Sequence, residues 1–317
     1  MRIACRLALP TLLGWAILLS PGAFGANPPH SADISKRNLK PSDFPRWQKL
    51  APEIYAYEGL HSPDKQGVVV NTVSLIVITD EGVVVVDGQG DVPQTQLMID
   101  NIGKLTSQPI KYVVIASDHG DHVGGNAAFQ TAFPEVTFVS SPASQRTLDK
   151  HPQRPTMTVS DQRSLRLGKS QLEILNLGRA HTGGDLVVWL PESNVLFLGE
   201  VYLRDVFPAM RSAYPSEWVA TIRRAQTMNA FWYVPGHGFI DEAPLMRRDL
   251  EEARRAIVYV IEEAKRLRVA GHACESAANC PAAQYANWGP YADWALRSSQ
   301  APLAIWKVYQ ELDGKLP

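Results

Sequence analysis

The segment Ser117-Asp118-His119-Gly120-Asp121-His122 puts two imidazoles and two carboxylates in one short loop, directly behind the apolar run Val113-Val114-Ile115-Ala116. Packing alone does not ask for that combination. Imidazole nitrogen and carboxylate oxygen are the donors zinc takes at about 2.0–2.2 Å, and a catalytic zinc site keeps one position open for water. A water so held has a pKa near 7 (roughly), which makes hydroxide available at neutral pH. The chemistry predicted for this loop is therefore hydrolysis. His119, Asp121 and His122 can face a common cation, while Asp118 alternates to the opposite side.

Three more loops follow the same logic, each placing polar groups just after a short apolar run. Leu177 leads to Gly178-Arg179-Ala180-His181-Thr182-Gly183-Gly184-Asp185, Val195-Leu196-Phe197-Leu198 leads to Gly199-Glu200, and Val234 leads to Pro235-Gly236-His237-Gly238. Four of the eight histidines sit in such loops. In a layered α/β fold the strand ends along one edge converge, so residues distant in sequence can meet there. The acid Asp87, at the end of Val83-Val84-Val85-Val86, reads as an acceptor that holds a ligand or loop backbone. Thr182 and Asp185 read as loop-fixing hydrogen-bonders. His61, Tyr202, Arg204 and Trp218 lie near these loops and receive no assigned role.

The elements that must carry these loops show up as changes of apolar period. Strands are expected at 54–57, 68–78 and 83–87, the last two joined as a hairpin by Thr79-Asp80-Glu81-Gly82. Leu97, Met98, Ile102 and Leu105 fall at helical spacing, and the next strand runs into the Ser117 loop, making a βαβ unit. Asn126 is the expected N-cap of a helix from Ala127. Further strands are expected at 136–139, 172–177, 186–190, 195–198 and 231–234, with helices at 144–149 and 217–228. Leu250, Ala253, Ile257, Val260, Ile261, Ala264 and Leu267 stripe one amphipathic helix ending near Gly271. An aromatic-rich helical extension follows, which needs to dock on the main body to bury Trp288, Tyr291 and Tyr309.

The chain has 317 residues, 45% hydrophobic and 20% charged, with a net charge of −1. Those values give a folded domain with an extension, and with no long basic run they exclude nucleic acid as a partner. Arg2 and Arg6, the apolar stretch from Leu7 to Leu19 and the small residues Ala23 and Gly25 form a signal peptide with cleavage after Gly25. Export to the periplasm or medium follows, with no stable membrane anchor after cleavage. Cys5 leaves with the leader, and Cys274 and Cys280 are then expected as a disulfide. The domain reading is 1–25 signal peptide, 26–49 flexible tail, 50–270 catalytic domain and 271–317 helical extension with the Cys pair.

Taken together, these motifs resemble the metallo-β-lactamase fold superfamily from about Ile54 to Ile240. Ser117 to His122 is similar to that family's H-x-H-x-D-H, Ala180 to Asp185 to its G-H-T-x-G-D, and Pro235 to Gly238 to its P-G-H-G. The resemblance implies an α/β fold, an αββα sandwich of two mixed β-sheets flanked by helices, with the metal site along one edge. It further implies that one metal takes His119 and His181 and the other Asp121, His122 and His237. Two positions depart from the family pattern: Ser117 stands where an imidazole is usual, and Glu200 where a bridging Asp or Cys is usual. A hydroxyl is a poor zinc ligand. One firmly held Zn²⁺ is thus expected, with a second allowed through Glu200. Asp121 is the expected catalytic residue as well as a ligand, orienting water or protonating the leaving group. The function expected is a metal-dependent hydrolase acting on a small molecule: a lactam, lactone, thioester, or sulfate or phosphate ester. Two other readings compete: a non-catalytic accessory protein with a partly degraded site, and a di-iron redox centre.

Overall fold

The computed structural model describes residues 31–62 and 67–317, so the expected leader lies outside the described residues. In chain order the elements are β1 (Arg46–Ala51), β2 (Ile54–His61), β3 (Val70–Ile78), β4 (Val83–Val86), α1 (Val92–Leu105), β5 (Ile110–Val114), α2 (Gly120–Val123), α3 (Asn126–Ala132), β6 (Thr137–Ser140), α4 (Pro142–Thr147) and β7 (Met157–Thr158). They continue with β8 (Gln162–Leu167), β9 (Ser170–Leu175), β10 (Val187–Leu190), β11 (Val195–Leu203), α5 (Pro215–Thr227), β12 (Trp232–His237), α6 (Ala243–Val269) and α7 (Arg297–Leu312).

Two mixed sheets result. The first runs from β1 to β7, antiparallel through β4 and parallel beyond it. The second is ordered β12-β11-β10-β9-β8, parallel at β12·β11 and antiparallel elsewhere. The sheets touch through the single pair His237 and Thr72 between β12 and β3.

Strand β4 shows why they stack. It is four consecutive valines, all buried, and successive side chains of a strand point to opposite faces. Val83 and Val85 face a cluster containing Met98, Ile102 and Phe129 from α1 and α3. Val84 and Val86 face the main core, shared with Ile174, Val188, Leu196 and Val234 of the second sheet. Helices α5 and α6 pack on the outer face of β11 and β12, completing the layers helix, sheet, sheet, helix. The buried face of α6 holds the predicted stripe from Leu250 to Leu267.

The structure departs from the sequence reading at the N-terminus. The sequence pattern makes 26–49 a flexible tail, yet β1 pairs with β2 across Arg46–Ala51. Trp47 packs edge-on against Tyr57 at 4.9 Å, Ala32 and Ile34 are buried, and Arg37 reaches Asp241 at 2.8 Å. Charges at Arg46 and Lys49 masked the alternation: they fall on opposite faces of this edge strand, Lys49 exposed and Arg46 half-buried against the buried Glu58. The extension from 271 is docked: Leu296, Ala304, Ile305, Val308 and Tyr309 join the main core. A disulfide links Cys274 and Cys280. Among the described residues, no helix is long and apolar enough to cross a membrane.

Candidate metal centre

Each loop that the sequence marked is delivered to one edge by a different device. Beyond β5, residues 117–119 lead into α2, a single helical turn that puts Asp121 and His122 side by side. At the end of β4, Asp87 adopts a left-handed backbone, φ 61°, which an aspartate tolerates better than most residues. Its Oδ1 accepts the amides of Ala116 at 2.7 Å and Ser117 at 3.3 Å, fixing the start of the ligand loop. The Thr182 amide and hydroxyl donate to Asp185 at 2.7 and 2.8 Å, closing the loop that carries His181. Burial raises the Asp185 carboxyl to about 6.

Glu200 and His237 arrive on adjacent parallel strands. Gly199, φ 51°, breaks the register of β11, and Gly236 packs against that break. A Cβ on Gly236 would lie 2.7 Å from the Gly199 carbonyl carbon, so only glycine lets the strands approach this closely.

All six side chains picked from the sequence as ligands meet here. Asp121, His122, Glu200 and His237 form one group able to hold a metal ion, and His119, His181 and Glu200 form a second. Glu200 belongs to both. Its Oε1 is 3.1 Å from His181 Nε2 and 3.5 Å from His237 Nε2, and its Oε2 is 3.1 Å from His119 Nδ1. In the other group His237 Nε2 is 3.0 Å from Asp121 Oδ2 and 3.4 Å from His122 Nε2. Asp118 stays outside both, as its alternation required.

The donor chemistry fits a divalent cation. His237 Nδ1 donates to the Asn71 carbonyl at 2.7 Å, which leaves Nε2 with its lone pair toward the centre. His122 Nδ1 lies 3.1 Å from Asp87 Oδ2, close though not aligned as a hydrogen bond, and its Nε2 also turns inward. Opposed ring nitrogens with carboxylates between them are what a cation satisfies. The field at the centre is strongly negative. Burial opposes the charged form of His122 and His237, yet the surrounding carboxylates outweigh it and raise them to about 9 and about 10. Burial likewise disfavours ionised Glu200 and Asp121, but the histidines hold both below the usual carboxylate range.

Ser117, the departed position, is fully buried and donates its hydroxyl proton to Glu200 Oε2. Of the residues left without a role, His61 reaches the site, 3.6 Å from Asp121 Oδ2. Trp218 sets its ring edge-on to His181 at 5.2 Å. Tyr202 and Arg204 do not line the site: the Tyr202 hydroxyl donates to the Met246 carbonyl, and Arg204 is buried on Asp241 and Asp249. Asn71 was missed. Besides holding His237, it ties Gly238 to β3, accepting the Gly238 amide at 2.8 Å. The signal available was an amide side chain near the start of a strand whose polar residues, Asn71, Thr72 and Ser74, are all buried.

The metal groups open into a cleft of about 590 Å³. It is lined by His61, His119, Asp121, His181, Glu200 and His237 on the metal side, and by apolar residues after β11 and from the C-terminal extension.

Comparison with known proteins agrees with this architecture. The family described as Metallo-beta-lactamase superfamily matches residues 67–237. A metallo-beta-lactamase type 2 of Bacillus sp. (strain 170) is 26% identical over 187 residues, covering 56% of this chain and 70% of the relative. The type 2 enzyme of Elizabethkingia meningoseptica is 24% identical over 229 residues, covering 70% and 87%. Among solved structures, a metallo-beta-lactamase from Pontibacter korlensis superposes with a TM-score of 0.61 at 24% identity, over 68% of this chain and 99% of the other.

Proposed function

The chain belongs to the metallo-beta-lactamase superfamily, and from that premise we propose that it is an exported zinc-dependent hydrolase of small molecules carrying a lactam, lactone, thioester, or sulfate or phosphate ester. It is a hydrolase of this family with a His, Asp and Glu metal cluster. The observation that carries it is the pair of metal-binding groups sharing Glu200 at the base of an open cleft.

Asp121, His122 and His237 would hold one ion, His119 and His181 the other, with Glu200 between them. Bound zinc would polarise the substrate oxygen and acidify water. The protein's own groups then set geometry and proton traffic. In this reading Asp121, 3.0 Å from His237 Nε2 and partly exposed to the cleft, would take a proton from water and return it to the leaving group. Asp87 and the Asn71 carbonyl fix the ring orientations of His122 and His237, so that the same nitrogens face the centre throughout. The Ser117 hydroxyl contact supports the enzymatic reading over the accessory one, since the residue that motivated a degraded site is engaged with the shared carboxylate.

Export rests on residues 1–25 and is in keeping with the Cys274–Cys280 disulfide, which persists in oxidising compartments. We keep 50–270 as the catalytic unit and 271–317 as an extension. Metal analysis of the purified chain followed by a hydrolysis panel with His122→Ala and His237→Ala tests the assignment. Bound zinc and loss of turnover in both variants are expected; a folded, metal-free protein or undiminished activity in both would overturn it.

A further inference from the structure

One wall of the cleft joins the end of β11 and the residues after it to the start of α7, which lies beyond the segment that supplies the metal-binding residues. Leu203, Val206 and Ala209 line it, together with Leu296, Gln300 and Leu303. The last three are spaced i, i+4, i+7, so they form one stripe along the start of α7. The stripe is held in place by backbone. Phe207 donates to the Ala295 carbonyl at 2.9 Å and Ala295 to the Asp205 carbonyl at 3.3 Å, forming a parallel bridge between the segment after β11 and the entry to α7. Leu296 then takes φ 64°, turning the chain into the helix. At the far end Glu311 accepts from the Ser216 amide and hydroxyl at 3.0 and 2.8 Å.

With Ala301, Ala304, Ile305 and Val308 buried in the core, α7 leaves Gln300 and Leu303 half-buried on the cleft. Leu203, Val206 and Leu296 are nearly buried behind this wall, so the apolar surface it offers the cleft is carried by Ala209 and Leu303, a face that suits an apolar group of a bound molecule. The Arg or Lys complement of the lining is Arg211 alone, exposed and without an ion pair among the described residues. Its charge favours neutral or anionic ligands over cationic ones.

Resting on the hydrolase reading, we propose that this wall is an acyl-chain subsite: the substrate carries an apolar acyl chain next to the scissile bond, and α7 sets the preference for its length. The continuity of the wall with the metal-binding residues in a single cleft fixes the occupant as part of the substrate.

Zinc-loaded full-length chain would be titrated calorimetrically with octanoate and with acetate, and assayed on the octanoyl and acetyl p-nitrophenyl esters. Octanoate should bind more tightly than acetate. Leu303→Ser should weaken octanoate about tenfold and lower the octanoyl-to-acetyl ratio of kcat/KM about tenfold, acting mainly through KM; Leu303→Met should restore both. Equal binding of the two carboxylates by the wild type, or an octanoate affinity unmoved by Leu303→Ser in a variant with wild-type melting, overturns the subsite. If chain-length-dependent binding is seen and no ester turns over, the subsite stands and the hydrolase reading fails; turnover without chain preference gives the reverse.

Discussion

The Ser117 hydroxyl donates to Glu200 Oε2, the oxygen of the shared carboxylate that also lies 3.1 Å from His119 Nδ1. The same hydroxyl accepts the His119 amide at 3.3 Å, so one small side chain links the ligand loop to β11. An imidazole at this position would offer a nitrogen to the ion; the hydroxyl instead fixes the orientation of Glu200.

Replacing Ser117 by Ala should therefore weaken one zinc equivalent selectively. Loss of a partner that orients a ligand costs about 10–100-fold in metal affinity. Calorimetric titration should show the equivalent assigned to His119, His181 and Glu200 falling by that factor, while the one at Asp121, His122 and His237 holds. Two equivalents of equal strength in both proteins would count against the assignment.

Asp87 accepts two amides through Oδ1 and sets Oδ2 3.1 Å from the His122 ring, which makes it sensitive to isosteric change. Asp87→Asn should lower affinity for the ion at His122 about 10–100-fold. Asp87→Ala also strips acceptors from two buried amides, at about 1–3 kcal/mol for each group left unpaired. Urea denaturation of the metal-free proteins should rank stability as wild type, then Asn, then Ala.

Asp241 gives a pH signature away from the metal. Burial opposes its ionisation, but bonds from Arg37 and Arg204 outweigh this and lower it from 3.8 to about 2. A folded value below the unfolded one stabilises the protein above the unfolded pKa, and that stability is lost as pH falls through about 2. Allowing for partial exposure, Asp241→Asn should cost about 1–2 kcal/mol at neutral pH. The gap from wild type, followed by denaturant melts, should narrow steadily below about pH 4; a gap independent of pH would refute the ion-pair origin.

The Cys274–Cys280 bridge closes a short loop before α7. Cys280→Ser should cost about 2 kcal/mol by loop entropy, seen as a lower guanidinium midpoint that added reductant does not shift further. An unchanged midpoint would make the bridge dispensable.

The residue types and their spacing by themselves picked out the candidate donors that the fold brings together: each follows a short apolar run, and burial of such runs in parallel or hairpin strands leaves their ends at one edge. Four valines from Val83 to Val86 could only be a strand covered on both faces, and the α6 stripe could only be one amphipathic face. Periodicity is local, so local patterns carried it. What the sequence could not decide depends on contacts between distant residues. That Ser117 turns toward Glu200, that the Asn71 carbonyl accepts a hydrogen bond from His237 Nδ1, that charged Arg46 and Lys49 lie in an edge strand, and that Leu303 lines the same cleft as His119 are set by how the two sheets and α7 pack. Those relationships span tens to hundreds of residues, and only a folded core brings them to bonding distance.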